Sequence, residues 1–170
     1  MAKPSDLIVI ATVAGGAGAG AAIDLWTRRV PNPLTGLIAV SGVGFAAFGI
    51  SGLTVGASLA GCVLGLALML PGHLIGATGA GDVKLFAALG AVLGPAPIAT
   101  AFIYTAIAGG VFAVVIALRR RRLQRTLGRI ARLITTAAAN TTEIEAPLEN
   151  NRFPYAPAIA VGSMIAALGK

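Results

Sequence analysis

The chain has 170 residues, of which 56% are hydrophobic and only 11% charged, with a formal net charge of +7 and a mean hydropathy of +0.87. So few charges cannot cover the surface of a water-soluble fold, and an intrinsically disordered chain is poorer in apolar residues than this one. An ordinary globular enzyme and a disordered protein are both excluded, which leaves a polytopic membrane protein.

Asp, Glu, Lys and Arg are absent from Leu7–Ile23, Val30–Gly81, Leu85–Leu118 and Phe153–Gly169, most of the chain. A membrane-spanning helix needs about 20 mostly apolar residues. Leu7–Ile23 supplies the first. Its flanks loosely resemble a signal peptide, but Asp6 offsets the single Lys3, so the helix is expected to be retained. Val30–Gly81 is long enough for two helices with a break at Ser51-Gly52. They are placed near Pro33–Ile50 and Leu53–Leu70, followed by a glycine-rich loop over Pro71–Asp82. Gly94-Pro95-Ala96-Pro97 divides the next stretch into a helix over Asp82–Leu93 and another over Pro97–Leu118. The former is short for a full crossing, so it must be tilted, partly embedded, or extended by the preceding loop. Phe153–Gly169 is the last. The predicted fold class is all-α, with about six transmembrane helices.

Lys and Arg orient such a bundle, because they are retained in cytoplasmic loops. With six alternating spans, all of the thirteen basic residues except Lys3 and Lys170 share one side. That side is expected to be the cytoplasm, with both termini outside. The whole of 1–170 is then one membrane-embedded domain, with 119–152 a cytoplasmic segment. Within it, Leu123, Leu127, Ile130 and Ile134 recur at helical spacing among arginines, the pattern of an amphipathic helix on anionic lipid. No nucleic-acid-binding module accompanies the basic run, so nucleic acid is not an expected partner. Thr135–Arg152 turns polar, with Glu143, Glu145 and Glu149.

Two acids remain at the membrane, Asp24 at the end of the first helix and Asp82 at the start of the fourth. Ionisable groups at membrane depth are costly and point to function. Taken singly, each has a structural explanation: Asp82 as a helix cap, Asp24 as the i,i+4 partner of Arg28. Taken together, two solitary aspartates on one side favour a shared site. One carboxylate can take a proton from water while the other, protonated, polarises a peptide carbonyl, since neighbouring carboxylates share a proton. No metal or cofactor is required. A cation or proton transporter would also use such acids, usually near the midplane, and a noncatalytic secretion subunit would use them as helix caps.

The residues around the two acids sharpen the choice. Asp24 stands in Asp24-Leu25-Trp26-Thr27-Arg28-Arg29-Val30-Pro31-Asn32, and Asp82 in Gly79-Ala80-Gly81-Asp82-Val83-Lys84. The chain resembles the type IV prepilin peptidase family of GxGD membrane aspartyl proteases, and among them the short members serving Flp-type, tight-adherence pili. Arg152-Phe153-Pro154-Tyr155-Ala156-Pro157 also resembles the entry to the family's last helix. The resemblance implies cleavage of a pilin or pseudopilin precursor after a short basic leader, at the cytoplasmic face of a bacterial inner membrane. Asp24 and Asp82 are then the catalytic pair, and other pilus or secretion assembly proteins are possible partners. Gly79 and Gly81 would let the chain bend and admit a substrate backbone beside Asp82. Lys84 pairs with Asp82, holds head groups, or sets topology.

Long relatives that also methylate the new N-terminus carry a segment with paired cysteines. The present sequence holds only Cys62, so no structural zinc site is expected. His73 is the only histidine and is read as an incidental loop residue. Small-residue pairs at Gly16/Gly20, Gly52/Gly56, Gly61/Gly65 and Gly90/Gly94 suit close helix packing in lipid.

Overall fold

A computed structural model describes residues 3–119 and 155–169. The described residues form helices and connecting turns: α1 (Pro4–Thr27), α2 (Asn32–Ala47), α3 (Val55–Leu74), α4 (Ala80–Leu93), α5 (Pro95–Arg119) and α6 (Ala156–Leu168). The arginine-rich amphipathic helix, the acidic loop and Phe153 lie outside them. One compact unit comprises residues 1–109 and 152–170. A second comprises residues 110–151, of which only the end of α5, residues 110–119, is described.

The predicted helices are present, but their ends differ for identifiable reasons. No breaker follows Ile23, so α1 runs a further turn until Arg28 adopts a left-handed conformation (φ 54°) and its N–H bonds to the Asp24 carbonyl at 2.8 Å. Asp24 therefore sits inside the last turn. Conversely, α2 stops at Ala47 instead of Ile50, because Gly49 (φ 70°) turns left-handed and lets the Ile50 N–H close on Phe45. Pro71 does not end α3. It removes one N–H from the ladder, yet its own carbonyl still accepts from Ile75, so the helix reaches Leu74 and the predicted loop shortens. His73 consequently stands in the last turn of α3. Pro95 and Pro97 occupy the first turn of α5, where N–H groups have no helical partner to lose, and the break contracts to Gly94 (φ 83°).

Among the described residues, three segments are long and apolar enough to cross a membrane by themselves: Pro4–Thr27, Val55–Leu74 and Pro95–Val115. The fourth helix starts two residues before Asp82, in the preceding loop. It has 14 residues, a rise of about 21 Å against the ~30 Å of a hydrocarbon core. Every residue from Leu85 to Leu93 is buried. A helix that is apolar all round belongs inside a protein, and α4 is wrapped by α1, α2, α3 and α6. Protein replaces lipid around it, so its length need not match the bilayer.

Small residues make that wrapping possible. Gly61 of α3 and Gly90 of α4 bring their backbones into direct contact, and a Cβ on Gly65 would lie 2.9 Å from the Phe86 carbonyl oxygen. Ser58 donates to the Ala91 carbonyl at 2.7 Å along the same seam. On the other side, a Cβ on Gly42 of α2 would lie 2.7 Å from the Ala91 carbonyl carbon. Gly16 and Gly20 of α1 receive the side chains of Ile38 and Leu85. Gly52 does not share this role; its φ of 68° marks it as a turn residue with no neighbour within 4 Å of an added Cβ. Phe86 meets Phe102 of α5 edge-on at 6.2 Å, and Gly162 of α6 lies against Thr105.

Candidate active site

The C-terminal end of α1 and the N-terminal end of α4 meet at one end of the bundle around an open cleft of ≈ 270 Å³. Asp24 and Asp82 both line it, and both are 6% exposed. They are near enough for the charge of Asp24 to act on Asp82. The two acids, 58 positions apart in sequence, are thus brought to one site.

Backbone at the start of a helix lies against each carboxylate. The start of α6 at Ala156 lies within electrostatic reach of Asp24, and Arg28 acts on the same group through its charge. The Gly79 N–H donates to Asp82 Oδ2 at 3.0 Å. Asp82 is therefore the third residue of α4 reaching back over the helix start, a reciprocal arrangement in which its own N–H bonds to the Gly79 carbonyl at 3.1 Å. Capping thus accounts for one oxygen of Asp82 only. Asp24 Oδ2 and Asp82 Oδ1 are buried and have no hydrogen-bond partner among the described residues. A buried carboxylate oxygen left so costs about 1–3 kcal/mol, and such groups cluster where chemistry is done.

The glycines do not act as bends. Gly79 has an ordinary φ of −78°, and its missing side chain leaves room for Asp82 Oδ2, which would lie 3.1 Å from an added Cβ. Gly81 is closed against Val30, whose Cβ and N would lie 3.1 and 3.2 Å from an added Cβ. Its smallness joins the α1–α2 turn to the start of α4. Lys84 does not bond to Asp82. Its Nζ donates to Asn32 Oδ1 at 3.1 Å, a second tie between the same two segments. His73 is likewise more than incidental, because its Nδ1 lies 3.1 Å from the Thr78 carbonyl and fastens the turn that carries Gly79. Among the described residues, no three His, Cys, Asp or Glu side chains gather where they could hold a metal ion.

Two cleft features escape the sequence reading. One is Asn32, quoted only within the motif that follows Asp24 and given no role of its own, although its place next to the first acid was the available signal. The other lies beside the cleft, at the entry to α6, which was quoted only for its resemblance: Ala156 is within electrostatic reach of Asp24, and Tyr155 packs on Gly109 within electrostatic reach of Asp82. A backbone N–H leaves no mark in sequence.

A sequence model of the type IV leader peptidase family matches residues 11–114, well over half of the chain and both acidic motifs. The chain belongs to that family. It is a prepilin peptidase, an aspartic-type endopeptidase of the inner membrane, and prepilins are its substrates. No curated protein and no solved structure matches it. In this peptidase, Gly81→Val should drive Val30 away from α4 and lower prepilin cleavage by roughly 10²-fold, the cost of misplacing a site by about 1 Å. Undiminished cleavage by the folded variant would show that the Val30 contact is dispensable.

Proposed function

We propose that Asp24 and Asp82 are the catalytic pair of this peptidase and that it removes the short basic leader of Flp-type pilin precursors at the cytoplasmic face. The observation that carries the reading is a pair of unpartnered oxygens: Asp24 Oδ2 and Asp82 Oδ1 are buried in one cleft with no hydrogen-bond partner among the described residues. The Gly79 N–H fixes the Asp82 carboxylate through its other oxygen, and the unpartnered oxygens face chemistry. The ionised member takes a proton from water as the water attacks the scissile carbonyl carbon. The protonated member hydrogen-bonds the carbonyl oxygen and stabilises the charge developing there. Collapse of the tetrahedral intermediate breaks the C–N bond, and the proton gained by the first carboxyl goes to the leaving amine.

The cytoplasmic placement is supported by the lysines and arginines, which set both termini outside and the cleft inside. The Flp-type assignment is supported by the motif resemblance and by the single cysteine of the sequence. In this reading 1–170 is one membrane-embedded peptidase domain, with 119–152 on the cytoplasmic surface and its arginines on anionic lipid. Co-expression with a Flp-type pilin, followed by N-terminal sequencing of the product, tests the function. A mature pilin beginning just before its hydrophobic helix is expected; an uncut precursor would overturn the assignment.

The pair also dictates a pH profile. The rate of single-turnover cleavage should rise as one carboxyl ionises and fall as the other loses its proton, giving a bell whose limbs belong to the pair and not to either residue. A rate that rises to a plateau and stays there through alkaline pH would count against a protonated partner.

A further inference from the structure

Lys84 has only donors, so the Asn32 atom 3.1 Å from its Nζ must be the amide oxygen. That fixes the orientation of an amide that would otherwise be free to flip, and it turns the Nδ2 hydrogens away from Lys84. The backbone of Asn32 is held as well: it is the first residue of α2, between Pro31 and Pro33, and its carbonyl accepts from Thr35 Oγ1 at 3.0 Å. Asn32 is exposed and lines the same cleft as Asp24 and Asp82. No acceptor among the described residues takes its Nδ2 hydrogens.

From this geometry we infer that the Asn32 amide is a substrate-binding group, donating from Nδ2 to a main-chain carbonyl of the prepilin laid across the cleft, with Lys84 as its positioning residue. A peptide in extended conformation has carbonyls to satisfy and no side-chain requirement at this contact, so the group serves any precursor whose backbone reaches the two acids. Lys84 never touches the substrate; it sets which end of the amide does. The inference deepens the reading of this cleft as the site of cleavage and rests on it.

The test is steady-state cleavage of a synthetic prepilin peptide by the purified full-length peptidase in detergent. Asn32→Asp keeps size and the oxygen facing Lys84 but removes both donors. It should lower kcat/KM about tenfold, the loss of one hydrogen bond, chiefly through KM. Lys84→Met should produce a similar loss, and Lys84→Arg, which keeps a donor, should recover most of it. The double variant Asn32→Ala/Lys84→Met should be no worse than Asn32→Ala alone, because both remove the same contact. Unchanged kcat/KM in Asn32→Asp, or multiplying losses in the double variant, would overturn the inference. Thermal unfolding of each variant identifies any that fails to fold, and Lys84→Arg then carries the comparison with wild type. Failure here, with Asp24→Asn and Asp82→Asn inactive, refutes the role of Asn32 alone; active aspartate variants refute the pair beneath it.

Discussion

Asp24→Asn and Asp82→Asn should each lower prepilin cleavage by at least about 10²–10⁴-fold, and combining them should add little. Asparagine preserves the volume of the side chain and one acceptor oxygen. The Gly79 N–H thus keeps a partner, and the start of α4 keeps its reciprocal bond. What disappears is a group able to exchange a proton. If the acids work as a unit, removing either removes the step, and the second substitution has nothing left to abolish. The measurement is single-turnover cleavage by purified variants with N-terminal sequencing of the product, alongside thermal unfolding to establish that the bundle is intact. Normal processing by either variant would remove that residue from the pair. Losses that multiply would mean that the two residues act on separate steps.

A second large effect is expected far from the cleft. Gly90→Leu or Gly61→Leu should abolish the folded peptidase in detergent. Overfilling a core costs about 1–3 kcal/mol when side chains can shift aside. Here the atoms in the way are backbone: an added Cβ at either position would collide with the carbonyl oxygen of the other glycine. Helices α3 and α4 would have to separate, and Ser58 would lose its bond to Ala91. A loss of several kcal/mol is comparable to the whole stability of a typical domain, about 5–15 kcal/mol. Gly18→Ala is the control, since nothing lies within 4 Å of its added Cβ and alanine is the better helix former by up to about 1 kcal/mol. Circular dichroism on heating should show early melting for the two seam variants and none for the control. Wild-type melting of Gly90→Leu would mean that the seam does not hold the bundle.

Particular residues show why the bundle was legible and the cleft only partly so. Long runs without charge reveal helices because lipid penalises every ionised group, and the same penalty made Asp24 and Asp82 conspicuous. The ends of helices are set by single backbone torsions. Arg28 and Gly49 ended their helices with positive φ values that hydropathy does not encode, and Pro71 was passed where a breaker was expected. The burial of α4 was hidden for another reason: an apolar segment reads alike whether lipid or protein surrounds it. Lys84 was singled out, but its partner lies 52 positions away and only the fold brings Asn32 to it.

The enclosure of α4 bears on how the enzyme comes into being. A segment of 14 residues carrying Asp82 and Lys84 is poorly suited to enter a bilayer unaided. Its apolar faces acquire their proper surroundings only when α1, α2, α3 and α6 are already beside it. The same helix brings Asp82 to the cleft, and the start of α6 lies beside Asp24, so on the proposed pairing the site is complete only once the last described helix has docked. On that pairing, proteolytic competence would be tied to completed biogenesis.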